Sequence, residues 1–253
     1  MNRSRREDGK NRGRHLTRLI ACTRGVALIE FAIVFPFFFL MLFGGIEITR
    51  LILIQQKLEK AGYVLADIVT QYAPATAAGA AGEISVAEMN RNVFPQLSRI
   101  MNPYARAAQQ AAIMTSVEKL NGRLFIRWQI AGGGSLSGCD GQNNCVRSIV
   151  NDRAPASINA SVAGQTPSFP AAEAALIAGF VPTAVNSGNF VVSEVFYRYQ
   201  PIVQSLLRGV GAAGGQGFGG FSFFVPSRIY VKRTYFIPRN GALLALPPTF
   251  PVP

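Results

Sequence analysis

The sequence predicts an α+β protein: a long N-terminal transmembrane helix continuing into an amphipathic helix, followed by a small antiparallel-sheet domain. Three observations carry this. From Val26 to Ile46 the chain runs 21 residues with Glu30 as the only charge. As a helix that run is about 31 Å long, the thickness of a bilayer's hydrocarbon core. Leu51, Ile54, Leu58, Ala61, Leu65, Ile68 and Tyr72 then recur at alternating steps of three and four, a heptad stripe with charged residues on the other faces. Between residues 113 and 130 apolar residues alternate with polar ones on either side of Asn121-Gly122, the period of two strands.

Each segment has its own signature. Residues 1–25 form a basic cytoplasmic leader with no apolar period before Leu16. Residues 26–46 are the transmembrane helix. Pro36 removes one backbone donor inside it and predicts a kink there. Gly44-Gly45 near its far end suits close helix contact. Residues 47–73 are the amphipathic extension; Glu47 and Arg50 open it at pairing distance along a helix, and Ala73-Pro74 closes it. The proximal part of this helix suits partner helices, and its distal stripe suits the protein's own domain. Residues 74–84 are a small-residue linker.

Residues 85–240 form the α+β domain. Ser85-Val86-Ala87-Glu88 is a capping-box pattern opening a short helix to about Met101, with Pro95 inside it. Ile113, Thr115 and Val117 alternate on one strand, Asn121-Gly122 is a strong hairpin signal, and Leu124, Ile126, Trp128 and Ile130 alternate on the return strand. Gly132 to Asn144 reads as a loop, and Ala171–Ala178 as a helical turn. Phe190–Gln200 and Ser227–Ile237 are two more strands, separated by a glycine-rich connection over Gly209–Gly220. Residues 241–253 are a Pro-rich tail.

Charge sets the orientation. The formal net charge is +12, and residues 1–25 hold eight Lys/Arg against Glu7 and Asp8, half of it in a tenth of the chain. Lys/Arg stacked directly before an apolar span is the positive-inside pattern, which puts the leader in the cytoplasm and the domain across the membrane. A basic arm beside a span implies no nucleic-acid partner. A secretory signal peptide is the competing reading, but this apolar run is too long and offers no small-residue cleavage site. The cysteines agree. Cys22 lies on the reducing side, whereas Cys139 and Cys145 lie outside, where a disulfide persists and closes a loop worth about 2–3 kcal/mol.

Catalysis is disfavoured by residue content. The only histidine is His15, in the leader, so the domain lacks the usual general base and zinc ligand. Its acids form no close pair of the metal or glycosidase kind, and Ala131-Gly132-Gly133-Gly134-Ser135 lacks the Lys-Ser/Thr of a phosphate loop, so it reads as a flexible loop. No catalytic residue, metal or cofactor is expected. Phe196, Tyr197, Tyr199, Tyr230 and Tyr235 suit sheet core, with an exposed binding face as the alternative.

Glycine, four apolar residues, a glutamate, a phenylalanine and a long apolar helix follow a polar leader here in the order of type IV prepilins and pseudopilins. Gly25-Val26-Ala27-Leu28-Ile29-Glu30-Phe31-Ala32, then Pro36, Gly44-Gly45, Glu47 and Arg50, resemble the N-terminal helix of the TadE-like pseudopilins of tight-adherence (type IVc, Flp) pilus systems. Val192 to Pro201 is more loosely similar to a strand of that family.

The resemblance implies a minor pseudopilin or an assembly and priming component, not an enzyme. A membrane-embedded prepilin peptidase would cut between Gly25 and Val26. Glu30, with Phe31, Glu47 and Arg50, would serve assembly, the Glu30 carboxylate pairing with the Val26 amino group of an adjacent subunit. Val26 departs from the Phe that pilins often carry at this position. The implied partners are the peptidase, the major pilin and other pseudopilins, the inner-membrane pilus platform and the lipid bilayer. The implied location is the bacterial inner membrane, single-pass, with a periplasmic domain, or a place within or at the tip of a pilus. The alternative is an uncleaved signal-anchored periplasmic binding or structural domain unrelated to pili. Processing at Gly25 separates the two.

Overall fold

The computed structural model describes residues 23–71, 86–120, 123–140, 142–158, 162–180, 187–202 and 227–237. Most of the leader, the 74–84 linker, Ser85 of the capping box, the Asn121-Gly122 turn, the Gly209–Gly220 connection and the tail lie outside the described residues. Two compact units divide at Arg50 and Leu51.

One helix, α1 (Thr23–Gln71), covers the predicted helical segments without interruption as far as Gln71, and Tyr72 with the predicted Ala73-Pro74 stop lies outside the described residues. It opens ahead of the expected boundary at Val26. Then come a single turn α2 (Val86–Glu88), a π-helical segment Met89–Val93 and α3 (Phe94–Met101). Pro95 lies just past the π-helical segment within one continuous helical run, so the wide turn lies where the proline ring and its missing N–H would interrupt a regular α-helix. That is why the helix tolerates it.

Strands β1 (Gln110–Leu120), β2 (Arg123–Gly132), β3 (Ser187–Tyr199) and β4 (Arg228–Phe236) form one sheet in the order β2-β1-β3-β4, every pair antiparallel. This is the predicted class, a long apolar helix followed by a small antiparallel sheet. The helix α4 (Ala171–Phe180) stands in the β2–β3 crossover.

One face of the sheet carries the main core. Met114, Trp128, Ile130, Val191, Val195, Tyr197 and Tyr199 pack there with Ile54, Leu58, Ala61, Leu65 and Val69 of α1 and with Phe94, Leu97 and Met101 of α3. The distal stripe of α1 thus packs on the protein's own domain. Its register differs from the heptad: Ile68 is only partly covered while Val69 is fully buried. A straight helix at 3.6 residues per turn drifts off a seven-residue repeat, so the buried line moves over by one position. Phe196, Tyr197 and Tyr199 are buried, which makes these strand aromatics core.

The glycines after β2 are not a flexible loop. A Cβ on Gly132 would overlap the Phe94 ring, one on Gly133 would lie 2.7 Å from Leu97 Cδ2, and one on Gly134 would strike the Gln110 carbonyl oxygen and lie 2.7 Å from the Ala107 oxygen. α3 and the start of β1 approach this backbone too closely for any side chain. Gly134→Ala is therefore expected to destabilise the domain by about 1–3 kcal/mol through forced backbone movement, measurable as a lower urea midpoint of the full chain in detergent. A substitution without effect would show that the backbone yields freely there.

Candidate functional site: the apolar helix and a buried polar belt

Residues 25–50 of α1 hold most of the predicted site residues. Gly25 and Val26 lie in its first turn, and Glu30, Phe31, Pro36, Glu47 and Arg50 follow along it. From Ala27 to Leu42 every residue is exposed, including Leu28, Phe37 and Met41. An apolar helix whose described residues are exposed on every face has the character of a membrane segment. The length and apolarity of α1 suffice to cross a bilayer and suggest membrane anchoring.

Within this stretch Glu30 is exposed among apolar neighbours. Phe31, Phe35, Phe39 and Phe43 stack as a ladder at successive i,i+4 positions, with ring centroids 5.2, 4.9 and 4.9 Å apart. Such tilted contacts stiffen one face of the helix around Pro36. Because Pro36 has no N–H, the Ala32 carbonyl lacks its usual helical donor. Even so, α1 continues through it. Gly44 and Gly45 have open space where a Cβ would stand, so no contact described within this chain requires them. Thr49 Oγ1 donates to the Gly45 carbonyl at 2.8 Å. Glu47 and Arg50 do meet, Oε2 to Nη1 at 3.8 Å, an ion pair too long for a strong hydrogen bond.

Cys139 and Cys145 are disulfide-bonded and form an isolated antiparallel bridge. Between them Asp140 organises the loop. Its carboxylate accepts from the backbone N–H groups of Gln142 (2.8 Å), Asn144 (2.9 Å) and Ile229 (2.8 Å), and from Asn144 Nδ2 (2.8 Å). Burial pushes this carboxyl up, but the four donors outweigh it and hold the pKa at about 2. A depressed folded-state pKa stabilises above the unfolded value near 3.9 and is lost as pH falls through the folded one. Asp140→Asn is thus expected to remove a stability loss between about pH 4 and 2. Acid titrations of unfolding that superimpose for variant and parent would remove Asp140 from this role.

The second face of the sheet contains a constellation that the linear sequence hides. Two apolar clusters lie there, one around Phe190, Val192 and Ile177, the other around Phe196, Ile113 and Leu136. A polar belt runs between them. Gln129 Nε2 donates to Thr115 Oγ1 (2.9 Å) and to Ser148 Oγ (2.9 Å), and Asn151 Nδ2 donates to Gln129 Oε1 (2.9 Å). Ser148 Oγ also accepts from the Val150 N–H at 3.2 Å. With both lone pairs taken, it donates its own proton to Glu194 Oε2 at 2.5 Å. Glu194 Oε1 accepts from the Ile149 N–H (2.9 Å) and Arg233 Nε (3.4 Å).

Arg233 continues to Glu173 at 3.9 Å, whose other oxygen accepts from Tyr235 Oη. Burial pushes Glu194 above the usual carboxylate range, opposed by Ser148, Ile149 and Arg233. Burial, then Glu173, raises the Tyr235 phenol. The acids Glu173 and Glu194, which show no pairing in sequence, therefore share one arginine. The available signal was a glutamate on the same strand face as Phe190, Val192 and Phe196. Among the described residues no group of three or more His, Cys, Asp or Glu is placed to hold a metal ion. The belt's donors and acceptors are matched to each other, which suits a structural latch.

Comparison with known proteins bears on α1. No curated protein and no solved structure gives a match. The family model described as TadE-like protein matches residues 25–67, extending the resemblance seen over residues 25–50 by nearly five turns and leaving out the 192–201 strand. The match runs from the glycine before the apolar run to the part of α1 buried in the domain, so the similarity to TadE-like proteins lies in this helix.

Proposed function

We propose that the protein is a minor pseudopilin, or an assembly and priming component, of a tight-adherence pilus, held in the inner membrane by residues 26–46 with its sheet domain in the periplasm. The observation that carries this reading is Glu30 alone in an uncovered apolar helix that begins beside Gly25, inside the TadE-like match. A carboxylate at that depth costs about 2–3 kcal/mol unless it meets a positive partner, and a new amino group at Val26 of a neighbouring subunit would be one. Gly25 leaves a peptidase site free of side-chain bulk. Phe31 would lie beside the carboxylate at the subunit contact, with Glu47 and Arg50 at the membrane boundary. The peptidase, the other pilins and the assembly platform are the partners this role needs.

The test is N-terminal sequencing of the membrane-bound protein from a native host, with and without Gly25→Leu. A mature chain starting at Val26, lost in the variant, is the expected result. A chain still beginning at its leader would leave an uncleaved anchored domain instead.

A further inference from the structure

The two edges of the sheet differ. On β2 the Ile126 N–H donates to the Gln165 carbonyl and the Ile126 carbonyl accepts from the Gly164 N–H, each at 2.8 Å, so residues 164 and 165 lie against that edge. On β4 the Ile229 N–H points away from β3 and is taken by Asp140 Oδ2 at 2.8 Å. An antiparallel strand turns the N–H and carbonyl groups of alternate residues to opposite sides. Ile229 therefore fixes the pattern: Val231, Arg233 and Tyr235 also face outward, while Tyr230, Lys232, Thr234 and Phe236 bond to β3. Among the described residues no hydrogen bond reaches those three outward backbone positions. An open edge of this kind is a template for another strand.

The sequence directly after β4 supplies a strand in matching phase. Asn240-Gly241 is the residue pair that a two-residue type I′ hairpin turn demands, since both central residues take positive φ. Ala242-Leu243-Leu244-Ala245-Leu246 comes next, and Pro247-Pro248 ends the run, because proline cannot continue a ladder. A turn at Asn240-Gly241 sets Arg239 opposite Ala242, Ile237 opposite Leu244 and Tyr235 opposite Leu246. These fall on the outward, hydrogen-bonding phase of β4. Pro238, which has no N–H to give, falls on the other phase, where the returning strand asks for none. The side chains fit as well. Ile237 is 50% exposed and gains Leu244 as its cross-strand neighbour. On the opposite face the small Ala245 comes beside Phe236, whose ring meets Tyr63 of α1 edge-on with centroids 6.1 Å apart.

We propose that the open edge of β4 is the docking site of this chain's own tail, with residues 242–246 adding a fifth strand antiparallel to residues 235–239. The edge is then closed from both ends, by Asp140 at Ile229 and by the tail from Tyr235 onward. Only Val231 and Arg233 stay open between them, too short a stretch to hold a strand of another molecule. A second chain can use this edge only by displacing the tail. The inference stands independently of the pilus reading, because it concerns the sheet and the residues that follow it.

The experiment uses the full chain in detergent with Cys22→Ser, which leaves Cys139 and Cys145 bonded to each other. Phe236→Cys with Ala245→Cys puts two thiols at a directly opposed, non-hydrogen-bonded pair, within disulfide reach. Phe236→Cys with Leu244→Cys is the register control, because its thiols point to opposite faces of the sheet. Mild oxidation is expected to link the first pair within one chain, in about tenfold or greater excess over the control. A link between two chains would give the edge to a second copy and overturn the proposal, as would equal linkage of the two pairs or none. A second measurement leaves β4 itself intact. Gly241→Val denies the turn its positive φ, and hydrogen exchange over residues 235–239 is expected to rise about tenfold in that variant. Unchanged exchange overturns the docking.

Discussion

Replacing Glu194 with leucine is expected to destabilise the sheet domain by about 3–5 kcal/mol, the usual cost of removing one partner from a buried charged pair. Against a total stability of roughly 5–15 kcal/mol that is a large fraction. Leucine would leave the Ser148 hydroxyl, already accepting from Gln129 and Val150, with no acceptor for its proton, and would orphan the Ile149 N–H. Arg233 would keep only its distant contact with Glu173. Glutamine is expected to rescue part of the loss, because its carbonyl can still accept from Ile149 while its NH2 opposes the Ser148 proton.

The buried Trp128, the only tryptophan, reports unfolding in urea. The pH dependence supplies a second check. Burial raises the folded-state pKa of Glu194, so the folded chain binds that proton more tightly than the unfolded one. The parent's advantage over the leucine variant should therefore be greatest below the unfolded pKa near 4.3 and decline as pH rises through the folded value. This slope is opposite to that expected for Asp140. A leucine variant as stable as the parent would mean that the belt is dispensable and the two apolar clusters alone hold this face.

Glu30→Ala is expected to lower incorporation of the protein into pili, or into the complex that primes them, by about 100-fold or more. On the pseudopilin reading the alanine leaves a neighbouring subunit's terminal ammonium unpaired in hydrocarbon, and losing a pair of that kind costs about 3–5 kcal/mol. Folding should not change, because Glu30 is exposed. Immunoblots of sheared pili and of membrane fractions, with Trp128 fluorescence as the folding control, separate the two effects. Normal pilus incorporation by the alanine variant would remove Glu30 from assembly. Gly44→Ala is a useful companion: a Cβ there meets nothing among the described residues, so an assembly defect would report a contact with another subunit.

Much of this protein was legible one residue at a time. The apolar helix, its single carboxylate and the leader's charge are local facts, because a membrane selects length and apolarity directly and a helix satisfies its own backbone. The heptad-like stripe announced that α1 continues past the span; alternation marked β1 and β2, and density of Val, Phe and Tyr marked β3 and β4. The cysteine pair was visible because its members are six residues apart.

Other features had no local signal. Strand order β2-β1-β3-β4 depends on pairings across a long crossover, which periodicity does not encode. Gly132 to Gly134 looked loose because tight packing against glycine is a property of what approaches it, here Phe94, Leu97 and the Gln110 carbonyl. Glu173, Glu194 and Arg233 are far apart in the chain and meet only because β3 pairs with β4 and α4 stands beside them. The sequence by itself thus determined the membrane-suited helix and the class of the domain, through patterns that repeat within one element. The tertiary structure alone decided the polar belt and the glycine contacts, because each exists only where separate elements are brought within hydrogen-bond or van der Waals reach.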